Sequence, residues 1–556
     1  MYRLVSAVIV ASFIGGLIFT SPSGAATRGS ESAASTPYLD QVVAAIRNSQ
    51  LPGGPNLEGS AWQLTQGNQL PRGWLLQTPD CWGDPRCAHA PGMAHLVDTM
   101  VKEIAAAKTE VDITGLLPFP TGGFLDAIAT GLRESYNAGN QPLVRILFGV
   151  SINADPFGQA PKDFLAALTK KISEASAGAS LPALRIAVGE YKSSLTTGSW
   201  NHSKIVAVDG NAAIVSGINY WAGNYLQKKN PVTDVAMQVM GPAAGMAVNF
   251  TNVLWQYTCK TLAGNSGFLY ATMVKTDSVS ECPATSVVPA APIPSATTPG
   301  PLPTSVPVLA LGETGQGVVS VAGADKRPAG VTEADLKMAN CITSSFDWTN
   351  DSINFDAVNP GSVGLRALVG SAKSSIFISQ QDLIGICPPQ ALYDVRLYKA
   401  LATKLAAGVR VTIVVSNQGA QVDGDDYSNG AALSDILKYL TPYVVQAAGS
   451  QEKAHKALCA HLDLAPLRTS EADRWANATG AEALPSLHSK VVMVDKEAFY
   501  IGSQNLYSAY LQEFGYIVDD RAAATTLYDQ MLGPEWRYSA KARVIGDGVC
   551  PATTTG

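Results

Sequence analysis

The sequence is poor in charge and poorer in the patterns that bind metals. Charged residues make up 15% of the 556, and 39 Lys and Arg stand against 45 Asp and Glu, a formal net charge of −6. A protein that grips nucleic acid through phosphate neutralisation favours a basic surface, so this balance argues against that class while leaving room for a local cationic site. Among eight cysteines and six histidines there is no Cys-x-x-Cys pair and no histidine cluster at zinc spacing, which argues against a zinc framework. Beyond the N-terminus no uninterrupted apolar run is long enough to span a bilayer, and a multi-pass membrane protein is excluded. With 46% hydrophobic residues the chain is not a disordered one, and its length asks for two to four domain-sized units.

What is present begins with an address. Arg3 precedes an apolar run from Leu4 to Phe19, and Ser21-Pro22-Ser23-Gly24-Ala25-Ala26 supplies the small residues a signal peptidase reads. Residues 1–26 are expected to be a secretory signal, and the mature chain soluble and extracellular. The even cysteine count fits that compartment, and neighbour pairing within each half predicts bonds Cys81–Cys87, Cys259–Cys282, Cys341–Cys387 and Cys459–Cys550. Residues 282–308 carry eight prolines among Ala, Thr, Ser and Val, a composition that supports no helix and no core. This linker separates an N-terminal half, 27–281, from a C-terminal half, 309–556.

The halves repeat. Asn201-His202-Ser203-Lys204-Ile205-Val206-Ala207-Val208-Asp209 returns as Leu487-His488-Ser489-Lys490-Val491-Val492-Met493-Val494-Asp495, 286 positions on. The same offset carries Ser216-Gly217-Ile218-Asn219 to Gly502-Ser503-Gln504-Asn505. Upstream the offset is 265, matching Val111-Asp112-Ile113 with Ile376-Phe377-Ile378 and Val144-Arg145 with Val409-Arg410. The extra residues of the second half include an excursion over 418–430. Helical spacing at Met100, Ile104 and Ala107, then strand-like Val111, recurs at Leu365, Val369, Ala372 and Ile376. Alternating helices and strands predict an α/β fold, two duplicated α/β sandwich halves each ending in a hairpin such as Ile205–Val208 and Ala212–Val215.

The chemistry sits on those hairpins. Residues two apart on a strand share a face, so His202 stands beside Lys204 and His488 beside Lys490. Four cationic or potentially cationic groups that converge want an anion, and a phosphate supplies one. Lysine gives fixed charge, asparagine gives neutral donors, and two histidines allow nucleophile and acid–base roles at once. Two such strings in register within a duplicated frame are not accidental. The other histidines (His89, His95, His455, His461) read as surface or packing residues.

The doubled His-x-Lys-x4-Asp motif, closed by a Gly/Ser pair and an Asn, resembles the phospholipase D superfamily. Leu75-Leu76-Gln77-Thr78-Pro79, Cys81-Trp82-Gly83-Asp84, Trp200-Asn201-His202-Ser203-Lys204, Ile378-Ser379-Gln380-Gln381-Asp382-Leu383 and Phe514-Gly515-Tyr516-Ile517-Val518 are similar to its secreted actinobacterial members. The resemblance spans about Tyr38 to Cys550. It implies halves related by a pseudo-twofold with a single site between them, turnover through a phosphohistidine without metal or other cofactor, and exchange of a lipid headgroup for other alcohols. It implies His202 as nucleophile and His488 as general acid, then base. Lys204, Lys490, Asn219 and Asn505 would hold the phosphate oxygens, and Asp234 and Glu513 would be the carboxylates that orient the histidines. Glu513 stands where close relatives have aspartate. Asp209, Asp495, Ser216, Gly217, Gly502 and Ser503 read as structural parts of the motif, and Trp221, Tyr225 and Tyr427 as headgroup-pocket residues for a choline cation. The expected partners are a phospholipid at a membrane or vesicle surface and water or an alcohol as acceptor, with no nucleic acid, for a monomeric enzyme. The rivals are a secreted phosphodiesterase or nuclease of the same superfamily, and a catalytically dead lipid-binding protein.

Overall fold

The computed structural model describes residues 36–151, 155, 157–174, 183–194, 199–264, 271–284, 305–319, 356–387, 390–428, 431–476, 482–546 and 550. The expected signal segment, most of the linker, and Cys341 with its expected bond to Cys387 lie outside these residues. The other three bonds, Cys81–Cys87, Cys259–Cys282 and Cys459–Cys550, form as neighbour pairing predicts. Among the described residues no helix is long and apolar enough to cross a membrane.

Sixteen strands of the described residues, with one further two-residue strand, build two large sheets. The first nine in chain order are β1 Trp62–Asn68, β2 Leu75–Thr78, β3 Glu110–Leu116, β4 Leu143–Gly149, β5 Ile186–Ser194, β6 Ile205–Val208, β7 Ala212–Ser216, β8 Asp234–Met240 and β9 Ala271–Lys275. After the linker come β10 Val306–Glu313, β11 Ser375–Gln380, β12 Arg410–Val415, β13 Leu462–Pro466, β14 Lys490–Val494, β15 Ala498–Gly502 and β16 Glu513–Asp519. One sheet runs β9-β5-β4-β3-β6-β7-β8-β2, with a further two-residue strand, Ser199–Trp200, paired to β5. The other runs β13-β12-β11-β14-β15-β16-β10-β1. Within each, six strands repeat the same order: β5-β4-β3-β6-β7-β8 matches β13-β12-β11-β14-β15-β16. The first three are parallel and the last three antiparallel in both.

Three details differ from the sequence reading. Val111 pairs with Val144 while Ile376 pairs with Val411, so the counterpart of Val144 is Val411, two residues beyond the apparent Val409 match. The backbone register overrides the Val-Arg likeness because a side-chain period of two tolerates a two-residue shift without turning the apolar face outward. The linker ends earlier than expected, since β10 already begins at Val306. Finally, β1 lies in the N-terminal half by sequence but pairs with β10 at the edge of the C-terminal sheet.

The strands are apolar because both faces are covered. Every residue of β6 and β14 is buried, the near-continuous pattern of strands packed on two sides. The helix Gly122–Asn137 seats Phe124, Ile128 and Leu132 on the first sheet. Its counterpart, Val395–Ala406, seats Leu397, Leu401 and Leu405 on the second and is capped by Asp394, which accepts from the backbone of Arg396 and Leu397. The long helix Pro242–Gly264 reaches residues of both halves. Its Phe250 stacks on Phe514 at 5.1 Å, and a Cβ on Gly312 would meet the Phe250 ring at 2.7 Å, so that glycine is the condition of the contact. One continuous core thus joins the halves.

Candidate active site

The motif histidines stand just before the first hairpin strand of each half. Strand alternation sends His202 and Lys204 to one face and Ser203 to the other, where its Oγ meets Thr114 Oγ1 at 2.8 Å. The second copy repeats this with Ser489 Oγ and Ser379 Oγ at 2.6 Å. Each lysine folds back on its own histidine: Lys204 Nζ donates to His202 O at 2.7 Å and Lys490 Nζ to His488 O at 2.5 Å. Both lysines are fully buried, and His202 and His488 are 5% and 4% exposed.

Each histidine takes its carboxylate from the opposite half. His202 N donates to Gln512 O and His488 N to Thr233 O, both at 2.8 Å, so each motif runs beside the residue preceding the other half's carboxylate. His202 Nδ1 consequently lies 2.9 and 3.0 Å from the two oxygens of Glu513, and His488 Nδ1 lies 2.9 Å from Asp234 Oδ2. The imidazoles face one another with centroids 6.4 Å apart and planes at 70°. With Nδ1 engaged by a carboxylate, Nε2 is the atom each ring can offer to a ligand.

The small-residue turns close the site. Asn219 and Asn505 are buried, and Asn219 Oδ1 together with both amide atoms of Asn505 finds no hydrogen-bond partner among the described residues. Such groups are costly to bury unless something completes them. A Cβ on Gly217 would collide with Asp234 Oδ1, so glycine is what lets that carboxylate approach. At the equivalent position Ser503 donates to Glu513 Oε2 at 2.5 Å. Ser216 N donates to Lys204 O, and a Cβ on Gly502 would collide with the Tyr500 hydroxyl. Asp209 and Asp495 adopt left-handed conformations, φ 52° and 55°, at the hairpin turns. Asp209 accepts from the backbone of Lys108, Thr109 and Glu110, and Asp495 from that of Lys373, Ser374 and Ser375, so both brace the turn before β3 or β11.

Burial sets the electrostatics. His202 is pushed down to about 4, by burial first and by Lys204 and Lys490, against the pull of Glu513. His488 is held well below the ordinary range by burial, Lys490 and Lys204. Burial lowers Lys490 to about 7 and also depresses Lys204. Asp234 is raised to about 7 by burial despite the nearby Lys490. Without a ligand, burial works against the charged forms of both histidines, both lysines and Asp234. An anion between the lysines would restore their charge.

Of the three expected pocket aromatics, two meet a histidine. Tyr225 Oη lies 3.0 Å from His488 Nδ1, and the Tyr427 ring stands edge-on to His488 at 5.4 Å. Trp221 instead donates from Nε1 to Pro118 O at 3.0 Å, on the first half's own core. The described part of the excursion, 418–428, carries Tyr427 across to the first half, where Asn224 Nδ2 donates to Tyr427 Oη at 2.9 Å and to Asp425 Oδ2 at 2.9 Å. Sequence reasoning missed Asn224. A polar residue one position before a flagged tyrosine was the available signal. Of the remaining histidines, His95 Nε2 meets Gly73 O at 2.8 Å. His455 shares metal-like spacing with Cys459 and Cys550, but those two cysteines are spent on a disulfide.

A duplicated α/β frame that gathers two carboxylate-tethered imidazoles, two lysines and two unsatisfied amides in one buried cluster defines a class of phosphodiesterases. Residues 365–532 match the family described as cardiolipin synthase, PLD-like domain. Over 542 residues, 94% of this chain and 91% of the relative, the sequence is 41% identical to a phospholipase D from Streptomyces antibioticus. The chain belongs to the phospholipase D family and is an enzyme. Among solved structures it is similar to phosphatidylserine synthase from Haemophilus influenzae Rd KW20, at 14% identity and TM-score 0.46, covering 89% of this chain and 90% of that one. It is also similar to polyphosphate kinase from Porphyromonas gingivalis, at 12% identity and TM-score 0.36, covering 82% and 46%.

Proposed function

We propose that this protein is a secreted phospholipase D that hydrolyses phosphatidylcholine to phosphatidic acid and choline through a phosphohistidine, and that passes the phosphatidyl group to other alcohols. The observation that carries the reading is the pair of facing histidines, each tethered at Nδ1 to a carboxylate of the opposite half. His202 Nε2 attacks phosphorus, and the bond to the choline oxygen breaks as His488 delivers its Nε2 proton to that oxygen. Glu513 accepts from Nδ1–H of His202 and offsets the positive charge that develops on the ring. In the second step His488, now neutral, takes a proton from water or an alcohol whose oxygen displaces His202 from phosphorus.

Lys204, Lys490, Asn219 and Asn505 stabilise the charge on the non-bridging oxygens, so no metal is needed for the chemical step. Asp234, raised to about 7 beside His488, supports the acid role, because that couple can hold a proton near neutral pH. The second half's excursion brings Tyr427 to the same side, where its ring, with that of Tyr225, is the candidate contact for the choline cation. The three disulfides and the signal pattern support an extracellular enzyme, which we read as a monomer.

The test is turnover of phosphatidylcholine vesicles and of a soluble phosphodiester with EDTA present, with and without a primary alcohol. Release of choline, phosphatidic acid and the transfer product is expected. Loss of soluble-substrate turnover under chelation would replace this mechanism by a metal-dependent one, and efficient plasmid nicking without lipid turnover would favour the nuclease reading.

A further inference from the structure

Glu513 has a neighbour that the motif does not predict. On the antiparallel pair β10–β16, Glu313 lies directly opposite Glu513, so the two side chains leave the sheet on one face. They are 2% and 4% exposed. Two buried carboxyls this close cannot both be ionised cheaply. Glu513 faces an ionisable partner, the His202 imidazole, whereas the donors to Glu313 among the described residues cannot take up charge: Ser362 Oγ at 2.7 Å and Gln504 Nε2.

The charges around Glu313 are balanced without it. Arg366 pairs with Asp356 and Asp394 at 2.7 Å each, and Arg396 also pairs with Asp356. Among the described residues these two cations and two anions already balance one another. Burial pushes Glu313 well above the usual carboxyl range, with Glu513 and Asp356 adding to the rise against Ser362 and Arg366.

Gln504 is the reason this matters to the reaction. It sits between Ser503, which donates to Glu513, and Asn505, one of the two unsatisfied amides. The fit around it is tight: a Cβ on Gly361 would lie 2.5 Å from Gln504 Oε1 and 2.7 Å from Glu313 Oε2. The equivalent place in the first sheet, opposite Asp234, is occupied by Thr78, so the arrangement belongs to one half alone.

We propose that Glu313 is a positioning residue that works as a protonated carboxylic acid, anchoring Gln504 so that Ser503, which donates to Glu513, and Asn505 are held. This rests on the proposed role of the His202–Glu513 pair.

Glu313→Gln keeps the shape and neutrality of the acid, and Glu313→Ala removes the anchor. The wild type at pH 7 is expected to show the infrared carbonyl band of a buried protonated acid that is missing from Glu313→Gln. On a soluble phosphodiester, Glu313→Gln should stay within about threefold of wild-type kcat, while Glu313→Ala falls about tenfold or more in kcat with little change in KM, the scale of one lost buried hydrogen bond. If the band difference is absent and Glu313→Gln is as impaired as Glu313→Ala, Glu313 acts as a carboxylate and the proposal fails. Wild-type kcat in Glu313→Ala would also overturn it. Should Glu313→Ala not fold, the Glu313→Gln band and kcat still decide. The infrared arm needs no turnover, so an inactive wild type would sink the phospholipase reading and leave this one to be judged by the band.

Discussion

The two histidine–carboxylate pairs occupy equivalent places in equivalent sheets, yet they are built differently. Asp234 reaches His488 because Gly217 leaves room for its carboxylate, and it also accepts from Val235 N at 2.7 Å. Tyr225 adds its hydroxyl to the same Nδ1. Glu513 is one methylene longer, and its turn carries Ser503 in place of glycine, whose hydroxyl donates to the carboxylate. Opposite Asp234 stands Thr78, whereas opposite Glu513 stands Glu313. The comparison teaches that the duplicated frame preserves where the imidazoles stand, while the surroundings of each carboxylate differ. A short carboxylate needs a missing side chain beside it, and a longer one leaves space for a donor.

The hardest test of that division is removal of each histidine. His202→Ala and His488→Ala should each lose at least about 10²–10⁴-fold in turnover of phosphatidylcholine. With a p-nitrophenyl ester, whose leaving group needs no proton, His488→Ala should still form a covalent adduct on His202, seen by rapid quench and peptide mapping. Label on His488 in an active His202→Ala enzyme would reverse the roles.

The carboxylates come next. Glu513→Gln and Asp234→Asn should each lower kcat by about 10²-fold, since both leave the ring without its counter-charge. Exchanging the surroundings sharpens the comparison. Gly217→Ser should be damaging because the Asp234 carboxylate occupies that space, while Ser503→Gly should cost only about tenfold, one charge-assisted hydrogen bond. Equal losses for the two turn variants, measured as kcat on a soluble phosphodiester, would show that the turns do not differ as described.

The pH dependence of stability should also distinguish the first pair. His202 is lowered from its ordinary value to about 4, so between those values the unfolded chain binds a proton that the folded chain refuses. Its contribution is therefore lost as pH falls toward 4, by about 3 kcal/mol at most. Thermal melts at pH 7 and pH 4 should show a smaller decline for His202→Asn than for the wild type. An identical decline would mean that His202 is protonated in the folded protein.

The smallest expected difference lies between the turn aspartates. Asp209→Ala and Asp495→Ala each remove several backbone hydrogen bonds at matching places and should each destabilise by about 1–3 kcal/mol. With each variant folded at low temperature, kcat on the soluble substrate should change little. A large drop for only one of them would place that aspartate closer to the chemistry than its hydrogen bonds indicate.

The sites were legible where chemistry is carried by strand period. His202-x-Lys204 and His488-x-Lys490 share a face because alternate residues on a strand must, and the turns at Asp209 and Asp495 follow from residues that tolerate a left-handed backbone. The helices Pro91–Ala105 and Pro360–Ser371 form where Met100 and Ile104, and Leu365 and Val369, stand at helical spacing. Val409 was mistaken for the counterpart of Val144 because a two-residue slip preserves the alternation of a strand and leaves no mark in composition. Glu313 had no signal at all, being a single acidic residue at the end of a strand beyond a proline-rich linker.

What the sequence determined by itself was therefore the duplicated α/β frame, the motif residues and their local order, since these depend on contacts a few residues apart. Which carboxylate serves which histidine was decided only by the tertiary structure, because Glu513 reaches His202 and Asp234 reaches His488 across more than 250 residues of chain. So were the transfer of β1 to the other sheet, the seating of Tyr427 beside His488 and the pairing of Glu313 with Glu513. Spacing along a chain constrains what a strand or turn can do locally. The choice among distant partners is made by burial, when two sheets and one shared helix close over a common core.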